Sequence, residues 1–390
     1  MPIPPVAEPV EPADFAALRQ HGDREVADGM LDLAVNVRLP GPPDWLRDAL
    51  VAAVDRLGRY PDQAAAVAAV ARRHGRPAGE VLLTAGAAEA FVLLARALRP
   101  ARAVCLHPSF TEPEVALRTA GHAVQRLLLP APYQLDPAAV PADADLVVLG
   151  NPTNPTGVLH DPDAIAALAR PGRVLVVDEA FADTVPGERG SLAGRRDLPG
   201  LVVVRSLTKT WGLAGLRVGY LLGPPRIVAA LATAQPAWPV STLALAAIQA
   251  CCSARGLADA EAAATLLSSW RAALLAGLAD VAGRAAAASR AGRVDPADPA
   301  GPAGRPGRAG QELAAAGGVR VVAPSATSFL LLHVAGGAVV RERLRRAGIA
   351  VRPGETFPGL TADHLRVAVR DPERTALFLA SLANALEIDP

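Results

Sequence analysis

The sequence predicts an α/β chain: a large domain on a mainly parallel sheet, then a smaller α+β domain. Three observations predict it. Short β-branched runs without polar alternation recur between helical stretches, as strands buried on both faces do. Each run is followed by Gly, Pro or a polar residue. Beyond residue 255 the pattern changes to one long Ala/Leu helix and then a mixture of shorter elements.

In order, the strand-like runs are Glu80–Thr84, Ala103–Leu106, Leu146–Leu149, Val174–Val177 and Leu201–Val204. Helical patterns fill Ala87–Leu98 and Asp161–Arg170. A long helix is expected over 255–290, and 291–310 are a Pro/Gly-rich insertion read as flexible. Strands at Val319–Val322, Ser328–His333, Ile349–Arg352 and His364–Val369 alternate with helices at 338–347 and 371–386. The division that follows is an N-terminal arm over 1–44, a large domain over 45–265 and a small domain over 266–390.

Composition excludes several function classes. Net charge is +1, so nothing points to nucleic acid or an anionic membrane. No charge-free, Pro-free apolar run approaches the roughly eighteen residues of a membrane span. Three cysteines, Cys105, Cys251 and Cys252, form no metal or disulfide spacing. The Pro-rich acidic start resembles neither a signal nor a transit peptide, and a cytoplasmic location is expected. One count stands apart: of 39 basic residues, Lys209 is the single lysine. Arginine replaces lysine as a surface charge, but guanidinium does not deprotonate, so a lone lysine is a candidate for amine chemistry.

Ligands of open α/β sheets bind beyond the carboxyl ends of the strands. There lie Asp178-Glu179, the turn GNPTNPTG (150–157), and Ser206-Leu-Thr-Lys209 with Arg217 beyond it. Small residues Gly86 and Ala87 open a helix, where free N–H groups suit an anion. Taken alone, the Asn-Pro turn is ordinary turn chemistry and the Gly-Ala start is a weak signal. A serine and an arginine beside the lysine suit a phosphate.

Together NPTNPTG, Asp178-Glu179-Ala180-Phe181 and SLTKTWGLAGLRVGY (206–220) resemble the class I/II aminotransferase family of fold-type-I pyridoxal-phosphate (PLP) enzymes. The resemblance runs from about residue 30 to the C-terminus. It implies the PLP-dependent transferase fold, an amino-acid substrate, and Lys209 as the catalytic lysine that holds the cofactor as a Schiff base. It also implies that Asp178 pairs with the pyridine nitrogen, Asn151 with the ring 3-oxygen, and that Phe110 stacks on the ring. Gly86, Ala87, Ser206 and Arg217 would hold the phosphate. Tyr60 would reach a neighbouring subunit's cofactor, which implies a homodimer with shared sites. Asn36, Arg366, Arg352 and His21 would face the substrate, with Arg366 on its α-carboxylate.

The family's reactions differ on one scaffold. Phe181 stands where many histidinol-phosphate transaminases carry Tyr. Phe357-Pro-Gly-Leu360, Leu365–Arg370 and Pro108–Arg118 resemble cobalamin-pathway threonine-phosphate decarboxylases. The favoured expectation is therefore L-threonine O-3-phosphate decarboxylase, and the alternative a histidinol-phosphate-like aminotransferase. One departure opposes the first. Those decarboxylases carry His-Gly-Gly-Asn where this chain has His21-Gly-Asp23-Arg24, and Asp23 would repel a phosphate.

Overall fold

The larger sheet is built from seven strands: β2 (Val81–Thr84), β3 (Ala103–His107), β4 (Val124–Leu128), β5 (Leu146–Gly150), β6 (Val174–Asp178), β7 (Leu201–Ser206) and β8 (Gly219–Leu222). Their order is β2-β8-β7-β6-β5-β3-β4. Neighbours from β7 to β4 are parallel, while β8 is antiparallel to both β7 and β2. A strand antiparallel to β8 runs with β7, so β2, β3, β5, β6 and β7 all end at one edge. The computed structural model describes residues 12–291 and 318–386.

The expected mainly parallel sheet is present, and the aliphatic runs explain why. In β5, β6 and β7 the residues Val147, Val148, Val176, Val177, Val203 and Val204 are all buried, with helices on either face. Each such side chain contributes roughly 1.5–3 kcal/mol by leaving water. Two strands escaped the sequence reading. β4 is an edge strand of half-buried Val-Gln-Arg-Leu-Leu, and β8 is four residues bounded by glycine-rich turns.

Helices cover the sheet: α1 (Pro12–Leu18), α2 (Asp44–Val54), α3 (Ala64–His74), α4 (Ala87–Ala97), α5 (Glu112–Thr119), α6 (Pro162–Ala166), α7 (Thr208–Trp211), α8 (Pro225–Ala234) and α9 (Thr242–Cys251). Helix α6 stops well short of the expected Arg170, five residues before Pro171 and Gly172. The long helix is α10 (Ala254–Ala291). It is long and apolar enough to cross a membrane by composition, but Leu267, Leu274, Leu278 and Val281 are buried against the second sheet. Ala260 of the same helix packs into the first core.

The smaller sheet has the order β1-β11-β12-β10-β9, from β1 (Leu31–Leu33), β9 (Val319–Val321), β10 (Phe329–Val334), β11 (Ile349–Pro353) and β12 (His364–Ala368). Helices α11 (Gly337–Arg346) and α12 (Pro372–Ala385) pack on it. Strand β1 pairs parallel with β11, which carries the N-terminal segment into this second body. Of the insertion expected at 291–310, residues 292–310 lie outside the described residues.

Candidate active site

A cavity of about 470 Å³ opens where the carboxyl ends of the large sheet face the small one. Strand β6 delivers Asp178 to it, β7 ends on Ser206, and helix α7 directly after it carries Thr208 and Lys209. Phe110 follows β3, Asn154 follows β5, and Ala87 and Ala88 open α4. The second body supplies His21, Asp23, Asn36, Arg352, Phe357 and Arg366. No metal-binding group of three His, Cys, Asp or Glu side chains occurs among the described residues.

At the large-sheet end, charges of both signs meet. Burial pushes the Asp178 carboxyl up to about 6, against an Ala180 N–H bond at 3.0 Å and the charge of Lys209. Burial pushes the Lys209 amine down to about 8, helped by the charges of Arg366 and Arg217. Lys209 Nζ makes no hydrogen bond among the described residues and lies 6.0 Å from the Phe181 ring centroid. Glu179, next in the chain, belongs elsewhere. It turns away to Arg205 (3.1 Å), Ser191 and the Leu192 N–H, a buried structural ion pair.

The residues present fit a PLP phosphate. Helix α4 begins at Gly86 with no side-chain cap, so its first N–H groups remain available. Gly86 adopts φ 81°, and a Cβ there would lie 2.6 Å from Arg217 Nη2, so only glycine lets the guanidinium approach that helix start. Ser206 Oγ and Thr208 Oγ1 lie 2.8 Å apart on the cavity wall. Thr208 was not singled out from sequence, although the Ser-x-Thr-Lys spacing carried the signal.

One expected residue is displaced. Asn151 does not line the cavity. Its Nδ2 donates to Gly190 O (2.9 Å) and its Oδ1 accepts from His160 N (2.9 Å), so both amide atoms are engaged in the turn. Asn154, three residues on, lines the cavity instead, and its Oδ1 accepts from Arg366 Nη1 at 2.7 Å. Both asparagines precede proline, and spacing alone could not choose between them. Tyr60 also lies outside the cavity. It is 76% exposed and stacks on Trp238 with centroids 4.2 Å apart.

The small-sheet end is built from cations and orphaned polar atoms. Arg352 and Arg366 stand directly opposite each other on β11 and β12. Arg366 donates to Asn154 and to the Ala34 carbonyl, and Arg352 to the Gln20 carbonyl. Among the described residues, Arg352 Nη1, Arg366 Nε and both amide atoms of Asn36 are buried with no hydrogen-bond partner. Burial lowers the Arg366 guanidinium well below its ordinary value, and the charge of Arg352 lowers it further. Arg352 is pushed down to about 10, again by burial. A guanidinium does not deprotonate in proteins, so burial here is a cost of keeping the charge rather than a loss of it. Unsatisfied buried donors are costly, so their clustering in one cavity marks a site for an anion. His21 lines this end, but its Nε2 is held by Glu112 Oε1 at 2.7 Å.

Comparison with known proteins agrees with this geometry. A family model described as aminotransferase class I and II matches residues 28–293. A histidinol-phosphate aminotransferase of Mycobacterium tuberculosis is 47% identical over 374 residues, 95% of this chain and 92% of that one. A threonine-phosphate decarboxylase of Salmonella typhimurium is 29% identical over 372 residues, 92% of each. Among solved structures, the histidinol-phosphate aminotransferase of Sinorhizobium meliloti in complex with pyridoxal-5'-phosphate has the same fold. That match has a TM-score of 0.73 at 20% identity, over 91% of this chain and 90% of that one. With its single lysine at the end of β7, its carboxylate at the end of β6 and this match, the chain belongs to the PLP-dependent class I and II aminotransferase family.

Proposed function

We propose that this chain is an aminotransferase that exchanges an amino group between a phosphorylated amine of the histidinol-phosphate kind and a 2-oxo acid. The carrying observation is the facing pair Arg352 and Arg366 with unpartnered buried N–H groups. Like charges across a strand pair oppose folding. A ligand with two acidic groups, such as glutamate or 2-oxoglutarate, would neutralise both, and so would one doubly charged phosphate. Relatives at 47% identity carry the aminotransferase name, which supports this reading over the decarboxylase expected from sequence.

PLP, when bound, supplies the electron sink for the substrate's α-carbon. The chain's own residues do the rest. Lys209, with its amine near 8, can give and take a proton at neutral pH. Transamination requires that the proton leave one carbon and return to another, and one mobile amine suffices. Asp178 would partner a protonated pyridine nitrogen. Ser206, Thr208, Arg217 and the first N–H groups of α4 would hold the phosphate. Asn154, whose Nδ2 has no partner among the described residues, would take the ring-oxygen role expected of Asn151.

Decarboxylation of L-threonine O-3-phosphate is the second reading. The segments Pro108–Arg118, Phe357–Leu360 and Leu365–Arg370, which resemble those decarboxylases, favour it. Three further expectations belong to the same proposal. The two sheets are two domains meeting within α10. The enzyme works in the cytoplasm. A second copy covers exposed Val51, Val54, Leu57, Tyr60 and Trp238, so that Tyr60 serves the partner's site.

The test is a product assay. PLP-loaded enzyme given histidinol phosphate and 2-oxoglutarate should form glutamate, and absence of glutamate would reject the proposal. For the dimer, mixing Tyr60→Phe with Lys209→Ala protomers should yield hybrid sites with activity above that of either alone. Equal activity would mean unshared sites.

A further inference from the structure

Both arginines of the small-sheet end lie over an aromatic face. Arg366 is 5.5 Å from the Phe329 ring centroid, and Arg352 is 5.0 Å from that of Phe357. Phe357 belongs to the loop between β11 and β12, yet its side chain is seated in the large body. With Leu360 it packs into the core that holds Leu106, Leu129 and Val158. The same loop meets β4, since a Cβ on Gly359 would lie 3.4 Å from Leu128 Cδ2. Its shape is set by its own bonds. Gly354 N–H donates to the His364 carbonyl (2.7 Å), and Phe357 N–H donates to the Gly354 carbonyl (2.8 Å). A Cβ on Gly354 would lie 2.5 Å from His364 Cβ, so only glycine lets the loop close on β12.

Arg352 and Phe357 are each 3% exposed, so water does little to screen the attraction between the cation and the ring face. Arg352 Nη2 donates to the Gln20 carbonyl, and Nη1 is buried without a partner among the described residues. Strand pairing fixes the Arg352 backbone opposite Arg366, but a long side chain keeps its rotamer freedom unless something packs on it. The like charge of Arg366 across the strand pair would push it aside. The Phe357 ring opposes that push. Because the ring is seated in the large body, it sets the guanidinium relative to the sheet that carries Lys209.

We propose that Phe357 is a positioning residue: its ring face holds the Arg352 guanidinium so that the free Nη1 meets the substrate's second acidic group. The proposal rests on the reading of a two-acid ligand. Phe357 offers that ligand no hydrogen bond of its own; it acts through Arg352.

The test titrates PLP-loaded enzyme with L-glutamate and with L-norvaline, which has a methyl group in place of the distal carboxylate. Cofactor absorbance gives each dissociation constant. Phe357→Leu keeps an apolar side chain and removes the ring face. Its constant for glutamate should rise about tenfold, and that for norvaline less than about twofold. Trifluorophenylalanine placed at position 357 nearly keeps the ring's volume and draws electron density from its face. It should weaken glutamate in the same direction, and it decides alone should Phe357→Leu fold poorly. Added to Arg352→Ala, neither change should weaken glutamate further. Equal weakening of both ligands, parent-like glutamate binding in the fluorinated enzyme, or additive effects with Arg352→Ala would overturn the proposal. A glutamate preference that Arg352→Ala abolishes and both changes at Phe357 spare would leave the two-acid reading standing and sink the role of Phe357 alone. An enzyme with no preference for glutamate over norvaline would sink the two-acid reading and this proposal with it.

Discussion

The two ends of the cavity are assembled differently. At the large-sheet end, Asp178 and Lys209 carry opposite charges and each moves the other toward ionisation. At the small-sheet end, Arg352 and Arg366 face each other across a strand pair; burial and the charge of Arg352 raise the cost of charging Arg366, while Glu25 and Asp23 only partly offset the burial of Arg352. The first end is internally balanced and waits for a cofactor that supplies a ring nitrogen and an aldehyde carbon. The second is unbalanced and waits for an anion. The contrast teaches that the fold stores its unsatisfied charge where the exchangeable ligand goes.

The largest effect expected from breaking this contrast is at Lys209. Lys209→Ala should lower turnover by at least about 10³-fold, because the mobile amine is lost, and steady-state kinetics will show it. Arg366→Ala comes next. It should raise KM for amino-acid substrates roughly 10- to 100-fold, the range for a lost bidentate charged contact. Arg352→Ala should act as strongly only on ligands with a second acidic group, so that glutamate weakens more than norvaline. If both arginine variants weakened every ligand equally, the division of labour at this end would be wrong.

Asp178→Asn probes the other end through stability. The folded carboxyl is raised to about 6, above its ordinary value, so ionising it opposes folding. Below the unfolded value both states are protonated and nothing is lost. The cost grows as pH rises toward 6 and is then constant. Cofactor-free Asp178→Asn should therefore be more stable than the parent by up to about 3 kcal/mol at pH 7 and no more stable near pH 3.5. Urea unfolding at the two pH values will measure this. A gain that does not vanish in acid would contradict the buried-carboxylate account. The smallest effect is expected from inorganic phosphate. At concentrations well above its dissociation constant it should raise the melting temperature of the parent by a few degrees, roughly 1–2 kcal/mol, and do less in Arg366→Ala.

The same contrast decides how much of the site was legible in the sequence. Asp178, Ser206 and Lys209 lie within a few residues of their strands, so a run of Val and Leu announces them. The small-sheet end is drawn from residues 21–23, 36, 352 and 366, which meet only because β1 pairs with β11 and β11 with β12. No local pattern encodes such a pairing. Arg352 and Arg366 were reached through resemblance, and Glu112 was not reached, since its partner lies 91 residues away in the chain. Asn151 lies off the cavity for a local reason. Two Asn-Pro pairs offered equal turn chemistry, and only the bonds to Gly190 and His160 show which amide is spent. The strands β4 and β8 were missed because one is a half-buried edge and the other is too short to show periodicity.

The account turns most directly on whether an oxo acid is needed. Purified PLP-loaded enzyme would be given L-threonine O-3-phosphate without 2-oxoglutarate, and separately histidinol phosphate with it, recording CO₂ and glutamate. The account predicts glutamate in the second mixture and no sustained CO₂ release in the first. Steady CO₂ release without any oxo acid, and no glutamate with it, would contradict the account and make the chain a decarboxylase.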